Sequence, residues 1–198
     1  TMEGWKEAIN FYNRDGFELH QFVVGTSFGS PLMQFSPIKC AALHLYSKDS
    51  GLGKTTAMEA GISVWGKPED LLTYKSDTYN TRMNRGEVYH SLPLYMDELT
   101  NSHGKELSDL VYQLTGGKQR GRMASGSNTE RYRGEAWSLL AVTTGNTSVV
   151  ERVSITKAMP KAEAQRILEC RVKKMHFETK EETCLLYTSD AADDLLCV

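Results

Sequence analysis

The chain has 198 residues, of which 40% are hydrophobic and 24% charged, and its formal net charge at pH 7 is −2. This composition is typical of a globular α/β domain with a sizeable core, and it limits any basic surface to a local patch. No apolar run approaches about 18 residues, so the sequence predicts no membrane span. Of the four cysteines, Cys40 and Cys170 lie before residues 184–198, and two cysteines so far apart indicate neither a disulfide framework nor a zinc site. The cytoplasm is the expected compartment.

Hydrophobic periodicity predicts strands that alternate with helices along the chain. The expected helices are 3–13, 21–33, 54–65, 78–91 and 104–117, and the expected strands are 40–47, 71–74, 92–98, 137–146 and 166–172. Such alternation favours right-handed crossovers and a mainly parallel sheet of about five strands, covered by helices on both faces. In such sheets, ligands bind at the carboxyl ends of the strands.

A glycine-rich loop follows the first predicted strand. The segment KDSGLGKT, residues 48–55, fits the phosphate-loop pattern except that Lys48 replaces its opening glycine. Backbone N–H groups at a helix start bind phosphates, so we expect a nucleotide to contact residues of this loop. They are Ser50, Gly51, Leu52, Gly53, Lys54, Thr55 and Thr56. Lys54 would reach the β- and γ-phosphates and Thr55 would ligate Mg²⁺. The alternative is a glycine turn before an ordinary helix.

Polar residues end two other predicted strands. Asp97 and Glu98 follow an apolar run, and an acidic pair of this kind suits a metal-holding carboxylate and a base that activates water. The strand 137–146 ends at Asn146, a candidate sensor for the γ-phosphate or the attacking water, with Thr144 as the second choice. The alternatives are a solvated strand end and a simple turn.

Basic residues cluster in the segment 116–133. Lysine and arginine on a glycine- and serine-rich loop suit nucleic-acid phosphates, and Tyr132 offers a stacking face for single strands. The candidate contacts are Lys118, Arg120, Arg122, Arg131 and Arg133. Arg166, just before the last strand, is a candidate finger for the γ-phosphate of a neighbouring subunit. A solvated loop, a subunit contact and a charged helix turn are the alternatives.

Five segments together resemble a helicase-like P-loop ATPase family of phages and mobile elements, catalogued as a domain of unknown function and often associated with primases. They are SGLGKTTAMEAGISVWG, LPLYMDELTN, VYQLTGGKQRGRM, LLAVTTGN and MPKAEAQRILE. The resemblance covers about residues 15–175. It implies a three-layer, additional-strand fold related to AAA+ and hexameric helicases. It also implies the loop contacts, the acidic pair and the sensor position already given.

These expectations combine into an ATP- and Mg²⁺-dependent helicase-like motor of a DNA replication protein, with single-stranded DNA and further copies of the chain as partners. The alternatives are a DNA-bound scaffold or loader that rarely hydrolyses ATP, and a small-molecule P-loop kinase. The expected organisation is an N-terminal helical segment 1–36 packed on the core, an ATPase core 37–175, a truncated natural C-terminal stretch 176–183 and a non-native tail 184–198. Residues 184–194 resemble a translated sequencing adapter.

Overall fold

The computed structural model describes residues 1–74, 76–101, 104–121, 126, 129, 134–156 and 161–173. Three of the basic residues predicted to contact nucleic acid, Arg122, Arg131 and Arg133, lie outside these ranges, as does the predicted tail 184–198.

Eight α-helices lie in the described part of the chain. They are α1 (Met2–Asn10), α2 (Glu18–Gly29), α3 (Lys54–Ile62), α4 (Pro68–Leu71), α5 (Tyr79–Tyr89), α6 (Gly104–Gly116), α7 (Val149–Ser154) and α8 (Lys161–Ala164). Short 3₁₀ helices occupy Ser30–Phe35 and Leu99–Asn101. The strands are β1 (Ala41–Tyr46), β2 (Leu94–Met96), β3 (Leu140–Gly145) and β4 (Ile167–Arg171).

The four strands form one parallel sheet with the order β2-β3-β1-β4. The strand before the glycine loop, β1, therefore pairs with β3 and β4 and not with β2. Since all strands run the same way, the ends of β1, β2 and β3 meet at one edge of the sheet. The glycine loop, the acidic pair and the predicted sensor follow those three ends.

The prediction of about five strands was wrong by one among the described residues. The segment 71–74 contributes only a single parallel bridge, between Thr73 and Met96. Its first residue belongs to α4, which begins at Pro68 with two acidic residues in its first turn. Proline at the first helical position and carboxylates near the positive helix end both favour a helical turn. One β-type contact at the edge of β2 is what remains of the predicted strand.

Helices cover both faces of the sheet, because alternate strand residues point to opposite sides. On one face, buried side chains of β1 and β3 pack against α2 and α3; they include Leu43, Leu45, Val142, Val23, Met58 and Ile62. On the other face, a second cluster joins the sheet to α5, α6 and α7; it includes Ala42, Ala141, Met83, Leu110, Val153 and Trp137. This arrangement confirms the predicted α/β class with a parallel sheet.

A hydrogen-bonded network joins α2, α3 and β2 on the first face. The Tyr95 hydroxyl lies 2.5 Å from Ser27 Oγ, which donates to the Gly61 carbonyl at 2.6 Å. A Cβ atom at Gly61 would lie 2.9 Å from the Tyr95 ring atom Cζ. Glycine at this helical position therefore lets α3 approach the sheet closely.

Candidate nucleotide site

The glycine loop connects the end of β1 to the start of α3. Ser47 begins it and donates its backbone N–H to the Gly145 carbonyl at the end of β3, at 3.2 Å. Gly51 and Gly53 have φ values of 67° and 74°, in the left-handed region that residues with a Cβ rarely adopt. The Leu52 side chain between them is 3% exposed and belongs to the core. The loop is thus curled by glycines and anchored by one leucine.

Lys54 is the first residue of α3, and it is 9% exposed. Its Nζ donates to the Asp49 carbonyl at 3.1 Å, so the side chain crosses back over the loop. Thr55 and Thr56 follow in the first helical turn and are half-buried, whereas Ser50 is exposed. The glycine loop therefore combines an ammonium group, backbone amides of a curled segment and the N-terminus of a helix. This combination suits the binding of a polyphosphate.

The carboxylate of Asp97 lies directly across from this helix. Thr55 Oγ1 donates to Asp97 Oδ2 at 3.5 Å, and the Thr144 hydroxyl donates to Asp97 Oδ1. The structure therefore brings together three predicted candidates from α3, from the end of β2 and from the end of β3. A hydroxyl and a carboxylate are hard oxygen ligands, so Thr55 and Asp97 have the chemistry that would hold a Mg²⁺ ion.

Glu98 follows Asp97 in a strained conformation. Its φ is 52°, which is uncommon for a residue with a side chain. Its backbone N–H donates to Asp97 Oδ1 at 3.0 Å and to Thr144 Oγ1 at 3.1 Å. These bonds hold the turn, and they leave the side chain exposed at the edge of the site. Strain of this kind is often found where a structure fixes a functional side chain.

The two sensor candidates take different places. Thr144 is 1% exposed and contacts the acidic pair. Asn146 is exposed, and its backbone N–H donates to Thr100 Oγ1 at 3.2 Å. Thr144, the second candidate from the sequence, is thus the one whose hydroxyl contacts Asp97. A role for the Asn146 side chain stays a prediction.

The remaining candidates lie away from the glycine loop. Arg166 precedes β4, at the opposite end of the sheet from the site, and its guanidinium lies 4.5 Å from the centre of the Tyr112 ring. It also donates to Thr115 Oγ1 at 3.3 Å. Lys118 and Arg120 are exposed just after α6, and Arg120 lies 3.7 Å from Asp109. Arg166, Lys118 and Arg120 therefore lie outside the candidate nucleotide site of the described residues.

Two polar residues inside the sheet were not among the sequence candidates. His44 on β1 is fully buried, and Glu169 on β4 is its neighbour across the strand pair. The sequence does contain a signal for both, since charged or polar residues interrupt the apolar runs ALHLY and ILECR. Their contacts with the turn after β3 are distant in sequence, so no local pattern predicts them.

A second buried histidine lies beside the glycine loop. His20 on α2 is 3% exposed, and its ring lies 5.4 Å from that of Tyr12 and 5.1 Å from that of Phe17. Burial lowers the pKa of His20 to about 4, although a hydrogen bond to the Leu52 backbone acts in the opposite direction. His20 is therefore neutral at pH 7 and packs between an aromatic cluster and the glycine loop.

Residues 1–134 match the family model of a domain of unknown function, DUF927. This chain belongs to the DUF927 family. The match includes the glycine loop and the acidic pair and ends before β3. No curated protein matches the sequence.

A solved structure supports the fold of this DUF927 chain. The structure of the SCCmec type IV Cch protein, described as an active helicase, superposes with a TM-score of 0.64 at 19% sequence identity. The superposition covers 94% of this chain but only 35% of the helicase chain. At this identity the likeness concerns the fold, and this chain spans about a third of the helicase.

Two negative observations concern the described residues alone. Among them, no helix is both long and apolar enough to cross a membrane. Within the same ranges, no group of three or more His, Cys, Asp or Glu side chains is placed to hold a metal ion.

Proposed function

We propose that this chain is the ATP-hydrolysing, helicase-like motor domain of a DNA replication protein from a phage or mobile element. The observation that carries the proposal is the meeting of Thr55, Asp97 and Thr144 beside the glycine loop. These residues come from three separate elements, and their side chains converge at the carboxyl edge of a parallel sheet, where ligands of such sheets bind.

Each residue of the site has a distinct part in the proposed reaction. The loop amides and Lys54 bind the phosphates of ATP, and Thr55 with Asp97 holds Mg²⁺, which when bound screens the charge of the phosphates. Glu98 accepts a proton from the attacking water. Thr144 keeps Asp97 and the Glu98 backbone in place through its hydroxyl.

The strand order supports the motor class within P-loop proteins. Because β3 lies between β1 and β2, the sheet has an additional strand between the glycine loop and the acidic pair. This is the arrangement expected from the resemblance to AAA+ and hexameric helicases. In such a ring, Arg166 would serve the site of a neighbouring subunit, which accords with its place far from the site of its own chain.

The DNA partner is supported by two observations of different kinds. The fold neighbour is described as a helicase from SCCmec, and exposed Lys118 and Arg120 follow α6. Single-stranded DNA would contact these two residues together with Arg122, Arg131 and Arg133. A cytoplasmic location follows from this role.

The decisive experiment measures phosphate release from ATP by the full chain, with Mg²⁺, across a titration of single-stranded DNA. We expect hydrolysis that rises with DNA and stops when Mg²⁺ is chelated. A phosphorylated small molecule in place of free phosphate would indicate a kinase. Stable ATP binding on DNA without turnover would indicate a scaffold or loader. Failure to bind ATP would contradict the proposal altogether.

A further inference from the structure

Three neighbouring strands place polar side chains in one row across the sheet. His44 of β1 is in register with Thr143 of β3 on one side and with Glu169 of β4 on the other. Partners in a parallel pair point to the same face, so all three side chains lie on the face covered by α5, α6 and α7. The row therefore lies behind the nucleotide site, on the other side of the sheet.

The row binds the turn that follows β3. His44 Nε2 lies 3.0 Å from the Thr147 carbonyl, and Nδ1 lies 2.9 Å from Thr143 Oγ1. A carbonyl only accepts, so Nε2 carries the proton and donates it. Burial lowers the pKa of His44 and keeps the ring neutral, which suits one donor and one acceptor nitrogen.

Glu169 holds the other end of the same turn. Its carboxylate accepts hydrogen bonds from Ser148 Oγ at 2.6 Å and from the Val149 backbone N–H at 2.5 Å. The Val150 N–H points to the same carboxylate oxygen at 3.4 Å. The carboxylate therefore holds the start of α7 together with the N-cap Ser148, whose Oγ accepts from the Glu151 N–H at 3.1 Å.

The end of β3 connects the row to the site because its side chains alternate between faces. Thr143 lies in the row, whereas Thr144 contacts Asp97 on the other face. Gly145 packs on the row side, where an added Cβ would approach His44 Cε1 to 2.9 Å. Thr144, Gly145 and Asn146 are consecutive, so the backbone links the turn held by the row directly to Thr144 on the other face.

From these contacts we infer that His44 and Glu169 form a clamp that positions Thr144 against Asp97 and fixes the backbone at Asn146. The inference rests on the proposed function for its effect on hydrolysis. Neither clamp residue contacts nucleotide in this scheme, so both are positioning residues. Their loss should slow the chemical step more than it weakens nucleotide binding.

The kinetic test compares His44→Phe, Glu169→Ala and Glu169→Gln with the exposed control Glu69→Gln. Single-turnover hydrolysis should fall about tenfold in the first two variants, while nucleotide affinity stays within about twofold. Glu169→Gln keeps an acceptor oxygen and should recover most of the rate, and Glu69→Gln should match the wild type. An equal loss of rate and affinity would overturn the clamp.

Thr144→Ala provides the second kinetic comparison. If the clamp acts through Thr144, adding His44→Phe to Thr144→Ala should cost much less than it costs in the wild type. Fully additive losses would show that His44 acts by another route, and the clamp would be rejected.

Hydrogen exchange tests the clamp without any enzymatic activity. In Glu169→Ala, the amides of Asn146, Val149 and Val150 should exchange about tenfold faster than in the wild type, while amides of α3 keep their rates. Unchanged exchange at these three amides would overturn the clamp. Faster exchange in a chain that binds no ATP would retain the clamp and reject the proposed function.

Discussion

Thr55 and Asp97 are 42 positions apart in the sequence, yet the Thr55 hydroxyl donates to the Asp97 carboxylate at 3.5 Å. The first belongs to the helix after β1 and the second follows β2, two strands that do not pair. A sheet edge brings them together, and in the proposed function this pair would hold Mg²⁺.

Lys54→Ala should weaken ATP binding by about 10- to 100-fold, because a bond between a charged donor and phosphate is removed. The substitution also removes the bond to the Asp49 carbonyl. Lys48→Ala is the matched control, since Lys48 is an exposed lysine of the same loop and should retain wild-type affinity. Binding of a fluorescent ATP analogue measures both. Equal affinity in Lys54→Ala and the wild type would remove Lys54 from the site.

Glu98→Gln should bind ATP normally and hydrolyse it at least about 100-fold more slowly, because the amide cannot accept the proton of the attacking water. The substitution retains the size of the side chain and the backbone bonds that hold the turn. Rapid-quench measurement of one turnover separates binding from chemistry. Wild-type turnover in Glu98→Gln would assign the base elsewhere.

Gly61→Ala should lower the free energy of unfolding by about 1–3 kcal/mol, because the added methyl group would collide with Tyr95. Gly25→Ala is the contrasting control: Gly25 is exposed within α2 and has nothing within 4 Å of an added Cβ. That change should stabilise the chain by about 0.5–1 kcal/mol. Denaturant titration of the two variants should therefore give shifts of opposite sign.

Acid should destabilise the chain through His20. The unfolded side chain binds a proton near pH 6.5, but the folded one binds it only near pH 4. Between these values the unfolded state holds more protons, so stability falls as the pH is lowered from about 6.5 to about 4, by about 3 kcal/mol at most. His20→Phe should remove this part of the pH dependence. An identical pH profile for both chains would show that His20 is not protected from protonation.

Glu87→Ala should destabilise the two ends of the basic segment 116–133. Its carboxylate accepts from Gln119 Nε2 at 2.9 Å and from the Glu135 backbone N–H at 3.0 Å. Losing both bonds should cost about 1–3 kcal/mol and expose bonds near residues 119 and 135 to protease. Glu87→Gln, which keeps one acceptor oxygen, should be cleaved more slowly than Glu87→Ala. Equal cleavage of wild type and Glu87→Ala would contradict the anchoring role.

The sequence predicted what local chemistry controls. The glycine loop and α3 lie where they were expected. The sequence signals for them were an apolar strand, the two glycines that follow it, and the lysine at the start of the helix. The segment 71–74 was wrong because Pro68 and its acidic neighbours favour a helical turn more strongly than Leu71, Leu72 and Thr73 favour pairing.

Contacts between distant elements were beyond local patterns. Sequence reasoning could not tell which face of β3 meets Asp97, so it did not predict the contact of Thr144 with Asp97, while the role of Asn146 stays a prediction. Which residues of a strand point to which face of the sheet becomes known only once the neighbouring helices are placed. His44 and Glu169 were missed for the same reason, since they bind a turn that the sequence places 103 and 20 residues away.

The place of β3 in the sheet has a consequence for the proposed Mg²⁺ site. Two strand spacings, roughly 10 Å, separate β1 from β2, and the middle strand sets that span. Thr55 and Asp97 would supply the ligand oxygen atoms in the proposed function, and the strands that lead to them, β1 and β2, do not pair with each other. If Thr55 and Asp97 hold the proposed cation, a substitution that bends β3 should change the distance between their oxygen atoms. The preference for a small or a large cation should then change although neither residue is altered.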